Sequence, residues 1–516
     1  MKMKKLALTS AAALPLLMCM SGGAVALDTS EEDFELKLLG KYLFFDKISD
    51  PTRQACATCH APDAGWTNGT SGINLKQVAV TGANPHTVGN LKPPSNAYAS
   101  FLPDLNTSCG LGSTLPGLVV PSGVCGGNFW NGRAKGNSAG VTGATGIAAN
   151  AVESLKELRD DLGLEFLVGV EQLAWGVKYL GPTADQAHAS PFVNPVEQGL
   201  PDRLAACEHV QKQKYAALYE RVWDGPVTCD NDVAVNISFA RFATSLAAYQ
   251  HSGEVNAFDS KRDRALANDS DGKFPLDDFT DQENLGHDLF YNAGLAPGTE
   301  PDPDLPRTNC SFCHNSSGFP LPHLGPPFGN GTPVDELGTN PEELYADMAY
   351  HNIGTPRNHE IPGNPGPDDP GVIGLEAITG VEGHRGAQKT PTLRNVDKRR
   401  GAGFKKAYSH NGWFKSLESL VHFYNTAAVD GATAAEFGIT RCPDGVVTEK
   451  DALAQNCWPE PENVGLLAVG LLIGDMGMDA VQEAALVAYL KTLTDIPTAK
   501  APAPFDMKKL EKGQLN

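Results

Sequence analysis

Two copies of a CxxCH motif, at residues 56–60 and 310–314, place the strongest constraint on this 516-residue chain. A zinc site commonly takes four ligands from two nearby pairs, but about 250 residues separate these motifs. A thioredoxin-like dithiol needs no histidine in the next position. A c-type haem uses all three residues, because the two thiols form thioethers and the histidine binds the iron. The motifs therefore predict two covalent c-type haems.

Each residue of the two CxxCH motifs has a predicted role in haem attachment. The cysteines form the thioethers, and each histidine is the proximal iron ligand. A haem with protein ligands on both faces carries electrons, whereas an open face lets peroxide or dioxygen bind. The six residues are Cys56, Cys59, His60, Cys310, Cys313 and His314.

The first 26 residues have the pattern of a cleaved secretory signal. Three lysines precede the apolar run 6–20, and Ala24-Val25-Ala26 provides a cleavage site near Ala26. No later stretch is apolar enough to span a membrane. An oxidising compartment, here the periplasm, permits disulfides. Neighbouring cysteines along the chain predict three of them, Cys109–Cys125, Cys207–Cys229 and Cys442–Cys457.

The charge balance restricts the partners. Asp and Glu (61) outnumber Lys and Arg (41), for a formal net charge of −20. Such a surface repels nucleic acid and favours basic or neutral partners. A small basic electron carrier would be attracted to it.

Helical periodicity predicts a mainly α fold with two cytochrome c-like domains and long loops. The predicted boundaries are 27–270 for the N-terminal haem domain and 271–516 for the C-terminal one. Helices are predicted at 39–46, 151–177, 233–249, 281–291, 416–425 and 481–493, with Pro/Gly-rich loops at 61–128 and 315–400. No strand alternation of any length is present.

The segment 414–425 holds a candidate second ligand. Leu417, Leu420, Val421 and Tyr424 fall at i, i+3, i+4 and i+7, so the tyrosine shares the buried face of a helix. One interpretation is a core tyrosine whose hydroxyl finds a carbonyl. The other is a phenolate that binds haem iron. Periodicity alone does not choose between them.

Four further motifs carry a family resemblance: 129–133 (FWNGR), 194–197 (NPVE), 391–395 (PTLRN) and 408–412 (YSHNG). With the two CxxCH motifs, their order resembles the bacterial di-haem cytochrome c peroxidase/MauG superfamily over nearly the whole mature chain. The resemblance implies a peroxide-binding N-terminal haem and a C-terminal haem that handles electrons.

The resemblance also implies roles for individual residues. Tyr424 lies fourteen residues after His410, at the position where the family has the sixth ligand of the second haem. Ordinary di-haem peroxidases have methionine at this position and MauG-type enzymes have tyrosine, so this sequence is similar to the MauG type. Trp130 corresponds to the tryptophan between the haems. Gln172 and Glu197 correspond to the distal glutamine and glutamate. His410 matches the family motif without an assigned chemical step.

Two implied features concern the surroundings of the first haem. Asn90 resembles the side-chain ligand of an inter-haem calcium ion, with the carbonyls of Lys405 and Ala407 as the other protein ligands. The histidine that caps the first haem in classical members is replaced by Lys76. The first haem is therefore expected to be open, with His86 as the alternative cap.

The implied activity is reduction of hydrogen peroxide by an exported enzyme. Electrons would come from a small cytochrome c or cupredoxin, or from a side chain of a protein substrate. The sequence does not determine whether the protein forms a homodimer. An alternative function is non-enzymatic electron transfer by a cytochrome in which protein ligands occupy both axial positions of each iron. A third hypothesis is oxygenase-like cleavage of an apolar substrate.

Overall fold

The computed structural model describes residues 33–105, 124–136, 179, 181–189, 191–292, 301–314, 339–362, 369–372, 385–465, 467–470 and 472–515. Its regular structure is mostly helical. The α-helices are Phe34–Phe45, Cys56–Cys59, Ser71–Asn74, Pro182–Ala189, Arg203–Gln211, Ala216–Trp223, Asp232–Gln250, Lys261–Asn268, Asp281–Tyr291, Cys310–Cys313, Leu417–Thr426, Ala432–Phe437, Glu449–Ala454, Ala480–Thr492 and Met507–Glu511.

Strands are very short. Tyr350–His351 pairs antiparallel with Gln388–Lys389, and Thr440–Arg441 pairs parallel with Cys457–Trp458. The mainly α prediction is confirmed. Within the described residues, the predicted helix 281–291 has the expected bounds, and the helices predicted at 233–249, 416–425 and 481–493 are present within one residue at each end. The predicted helix 151–177 lies outside the described residues.

A close helix crossing precedes each CxxCH motif. The Phe34–Phe45 helix packs on Asp232–Gln250, where a Cβ on Gly40 would lie 1.9 Å from the carbonyl oxygen of Ser245. The Asp281–Tyr291 helix packs on Ala480–Thr492, where a Cβ on Gly286 would lie 2.0 Å from the carbonyl oxygen of Ala485. Glycine has no side chain and so permits both close approaches. The same type of helix crossing therefore occurs before each CxxCH motif.

Two large hydrophobic clusters follow these helix pairs. One includes Leu39, Phe44 and Tyr249, and the other includes Phe290 and Tyr489. The buried Leu510, near the C-terminus, belongs to the first cluster. The domain boundary at 270/271 stays a prediction.

Disulfides are present in the described residues. Cys207–Cys229 and Cys442–Cys457 are bonded, as predicted. Cys125 is disulfide-bonded, and its predicted partner Cys109 lies outside the described residues, as does the predicted signal segment 1–26. Among the described helices, none is long and apolar enough to cross a membrane.

A buried ion pair joins the PTLRN motif to the Lys261–Asn268 helix. Arg394 Nη1 donates to Asp263 Oδ2 at 2.8 Å and Nη2 to Oδ1 at 3.1 Å, while Arg262 Nη1 lies 3.2 Å from Oδ1. Burial by itself would raise the pKa of Asp263, but the two guanidinium charges lower it to about 2. The carboxylate therefore stays ionised in the folded protein.

Asp263→Asn should lower the free energy of unfolding by about 3–5 kcal/mol, because it leaves buried guanidinium charge uncompensated. The pKa of Asp263 is depressed in the folded state, so its contribution is complete above the ordinary aspartate pKa and disappears as the pH falls towards about 2. Chemical denaturation across this pH range measures both effects. Asp259→Asn, in the more exposed pair with Arg264, is the control and should cost at most about 1 kcal/mol. Equal losses in the two variants would contradict the prediction.

Candidate active site

The first CxxCH motif forms the one-turn helix Cys56–Cys59 followed by His60. His60 Nδ1 lies 3.1 Å from the carbonyl oxygen of Pro94 and 3.2 Å from that of Trp66. A proton on Nδ1 bonded to these carbonyls leaves Nε2 as the nitrogen that can bind iron. Burial lowers the pKa of His60 to about 4, so the imidazole is neutral at pH 7.

The second motif repeats this arrangement. The helix Cys310–Cys313 precedes His314, whose Nδ1 lies 3.0 Å from the carbonyl oxygen of Tyr345. Burial also lowers the pKa of His314. Both motifs therefore present two thiols and a neutral, oriented imidazole, which is the donor set of a c-type haem.

A cavity of about 200 Å³ adjoins the second motif. Cys310, Cys313 and His314 line it, together with Tyr424 and the residues Leu417, Leu420 and Val421 of the same helix face. The face identified from the sequence thus borders a cavity. The helix begins after Ser416, whose hydroxyl caps the amide of Ser419.

The Tyr424 phenol is available to a ligand in this cavity. Its oxygen forms no hydrogen bond with any residue of the described ranges, although the side chain is only partly exposed. Burial raises the pKa of the phenol. A nearby cation such as iron would favour the phenolate, because an opposite charge stabilises the ionised form. The residues present therefore fit a haem held by Cys310, Cys313 and His314.

Trp130 connects this cavity to the first motif. Its indole Nε1 donates to the carbonyl of Lys92 at 2.8 Å, two residues before Pro94, whose carbonyl contacts His60. The buried indole lines the cavity, and its ring centroid lies 6.4 Å from that of His410. Trp130 thus lies between the cavity and the segment that orients His60.

His410 belongs to a separate polar contact. Its Nε2 lies 3.3 Å from Glu462 Oε2, which also accepts from Asn411 Nδ2 at 3.0 Å. All three residues are buried. The contact positions His410 beside Trp130 and holds the Glu462 carboxylate.

Glu197 lies on a turn whose geometry is fixed by Asn194. The Asn194 amide donates to Glu197 Oε1 at 3.0 Å, and the Glu197 amide nitrogen donates to the Asn194 carbonyl at 3.0 Å. Burial and, second, the charge of Glu197 raise the pKa of Cys59 to about 12. Burial lowers the pKa of Arg133, and Glu197 opposes that change. The carboxylate therefore lies within electrostatic range of the first motif.

Gln172 lies outside the described residues. Gln198, next to Glu197, is a residue that sequence reasoning missed: its Nε2 lies 3.6 Å from Cys56 Sγ, and its buried Oε1 has no hydrogen-bond partner among the described residues. The one sequence feature that could have identified Gln198 is its position directly after Glu197. Lys76 and His86 are both exposed, and the backbone nitrogen of His86 is held in a turn by Asn84.

The contacts of two residues implied for calcium, Asn90 and Lys405, are as follows. Asn90 is exposed. The Lys405 carbonyl accepts instead from Asn74 Nδ2 at 2.9 Å, and Asn74 also bonds to Asn68. These contacts do not favour calcium at Asn90.

Two oriented CxxCH sites in one helical chain define the class of di-haem c-type proteins. Residues 35–271 match the family described as di-haem cytochrome c peroxidase, and this part of the chain belongs to the di-haem cytochrome c peroxidase/MauG family of enzymes. The family implies two c-type haems and a peroxide substrate, and it is typically periplasmic.

Two relatives extend the comparison. The chain is 26% identical over 486 residues to methylamine utilization protein MauG of Paracoccus denitrificans, covering 93% of this chain and 94% of that protein. It is similar in fold to the crystal structure of the diheme peroxidase BthA from Burkholderia thailandensis, with a TM-score of 0.56 and 22% identity. That match covers 91% of this chain and 90% of the other.

Proposed function

We propose that this protein is an exported peroxidase of the MauG type, with a peroxide site at the first haem and tyrosine ligation at the second. The observation that carries the proposal is the Tyr424 phenol, which lines the cavity bordered by His314 and has no hydrogen-bond partner in the described ranges. Tyrosine is an oxygen ligand that haem iron accepts.

The haems, when bound, supply the redox chemistry of peroxide reduction. Glu197 would act as the acid–base group that moves a proton between the two oxygens of hydrogen peroxide, and complete reduction would take two protons and two electrons from the donor to give two molecules of water. Gln172 orients the peroxide by hydrogen bonding. Trp130, between the cavity and the segment that holds His60, passes the oxidising equivalent between the two sites.

The electron donor completes the proposed activity. A small cytochrome c or cupredoxin would give peroxide detoxification, and a side chain of a protein substrate would give MauG-like oxidation. The net charge of −20 favours a basic or neutral partner. The signal would be cleaved near Ala26 on export to the periplasm, and assembly as a homodimer is testable by sedimentation.

The proposal includes a calcium ion bound by the Asn90 side chain and the carbonyls of Lys405 and Ala407. The Lys405 carbonyl, one of the implied ligands, also accepts a hydrogen bond from Asn74 Nδ2. Elemental analysis of the purified protein tests this point: one tightly held calcium per chain would support the site, and calcium-free active protein would remove it.

The test of the proposal is a spectrum of the ferric protein before and after one equivalent of hydrogen peroxide. We expect one high-spin haem, open to peroxide, and one low-spin haem, followed by a rapid spectral change that a reductant reverses. Two low-spin haems without a reaction would favour the electron-transfer cytochrome instead. A stable dioxygen complex that cleaves an apolar substrate would favour the oxygenase.

A further inference from the structure

Three buried lysines line the cavity on the side of Trp130. Lys92, Lys389 and Lys406 are only 8%, 9% and 5% exposed. The ammonium of Lys92 contacts Thr67 Oγ1 and the Pro93 carbonyl, both at 3.2 Å. Such a group is rarely buried unless it is paired.

None of the three has a carboxylate partner in the described part of the chain. Within the described residues, the Lys406 ammonium donates hydrogen bonds only to carbonyl oxygens, those of Asn395 at 2.8 Å and Lys398 at 3.4 Å. Lys389 forms no side-chain hydrogen bond or ion pair with any described residue. Glu462, a carboxylate on the cavity wall, is held by His410 and Asn411.

The unfavourable free energy of burying three unpaired lysine ammonium groups indicates an anionic ligand in the cavity. Burial lowers the pKa of Lys92 and of Lys389 to about 8, and it lowers the pKa of Lys406 further, with the Lys92 charge acting in the same direction. Removing an unpaired ammonium from water is strongly unfavourable. Converging cations around one cavity become favourable when the ligand brings negative charge.

We propose that Lys92, Lys389 and Lys406 form a carboxylate-binding cluster that holds the haem propionates facing Trp130. Each c-type haem carries two propionates, and its thioether bonds leave those groups free to bind cations. This inference depends on the two haems that the family implies. It is independent of the proposed peroxide chemistry and of Tyr424.

The cluster has a redox consequence. Ammonium groups that neutralise the propionates raise the reduction potential of the haem, because they favour the less positive ferrous form. The Lys92 ammonium also lies 5.6 Å from the Trp130 ring centroid, where an unpaired cation would disfavour oxidation of the indole. A propionate bound to Lys92 offsets that charge and keeps Trp130 usable in electron transfer.

The experiment compares Lys389→Met and Lys406→Met with the wild-type holoprotein. Midpoint potentials are measured by optical spectroelectrochemistry, and propionate bending bands by resonance Raman spectroscopy, after both haems are counted by mass. We expect lower potentials and shifted propionate bands. Lys389→Arg, which retains the charge, should stay close to the wild type in both measurements.

Lys398→Met is the matched control. Lys398 is equally buried, donates to the carbonyls of Asp495 and Pro497, and does not line the cavity. Its loss should leave the propionate bands unchanged. If a methionine variant attaches haem poorly, Lys389→Gln provides the neutral comparison. Unchanged potentials and bands in a neutral Lys389 or Lys406 variant with both haems attached would overturn the proposal.

Discussion

Replacing Tyr424 by phenylalanine is expected to shorten the lifetime of the peroxide-oxidised protein on the order of 100-fold, the loss typical when one preorganised electrostatic partner is removed. The phenolate is the proposed source of negative charge for the second iron. Phenylalanine keeps the ring in the cavity wall but removes the oxygen. Both haems should remain attached, because the cysteines and histidines of the two motifs are unchanged.

The measurement is stopped-flow spectroscopy after one equivalent of peroxide, together with the ferric spectrum of the second haem. The ferric spectrum should change because that iron loses an oxygen ligand. Tyr408→Phe is the matched control: Tyr408 also lines the cavity, but its hydroxyl contacts Asp397 and Arg399. Unchanged spectra and an unchanged lifetime in Tyr424→Phe would show that Tyr424 does not bind the iron.

Glu197→Gln should slow peroxide cleavage by about 10²–10⁴-fold, the range lost with a positioned general acid–base group. Glutamine has a similar shape and can still accept the Asn194 amide hydrogen bond through its carbonyl oxygen. It does not accept a proton from peroxide at neutral pH. The ferric spectra and both haems should therefore be retained while the reaction rate falls.

Stopped-flow mixing with a range of peroxide concentrations separates binding from cleavage. Glu208→Gln is a control for the loss of one carboxylate, since Glu208 is exposed and forms an ion pair with the exposed Lys212. It should react at the wild-type rate. A normal rate in Glu197→Gln would mean that another group moves the proton.

Local pattern was sufficient to predict four helices to within one residue at each end, Asp232–Gln250, Asp281–Tyr291, Leu417–Thr426 and Ala480–Thr492, and to recognise the two CxxCH motifs. A CxxCH motif contains its own donor set within five residues, and a 3.6-residue period depends on neighbours along one helix. The helix containing Tyr424 was predicted in this way, including the apolar face that borders the cavity. The paired disulfides were also predictable, because their cysteines are close along the chain.

Contacts between distant segments were decided only by the tertiary structure. Lys92, Lys389 and Lys406 look like ordinary surface lysines in the sequence, yet the fold buries all three around one cavity. The hydrogen bond from Asn74 to the Lys405 carbonyl was equally unpredictable from the sequence. Burial and charge depend on which chain segments meet, and segments some 300 residues apart leave no local periodic signal of their meeting.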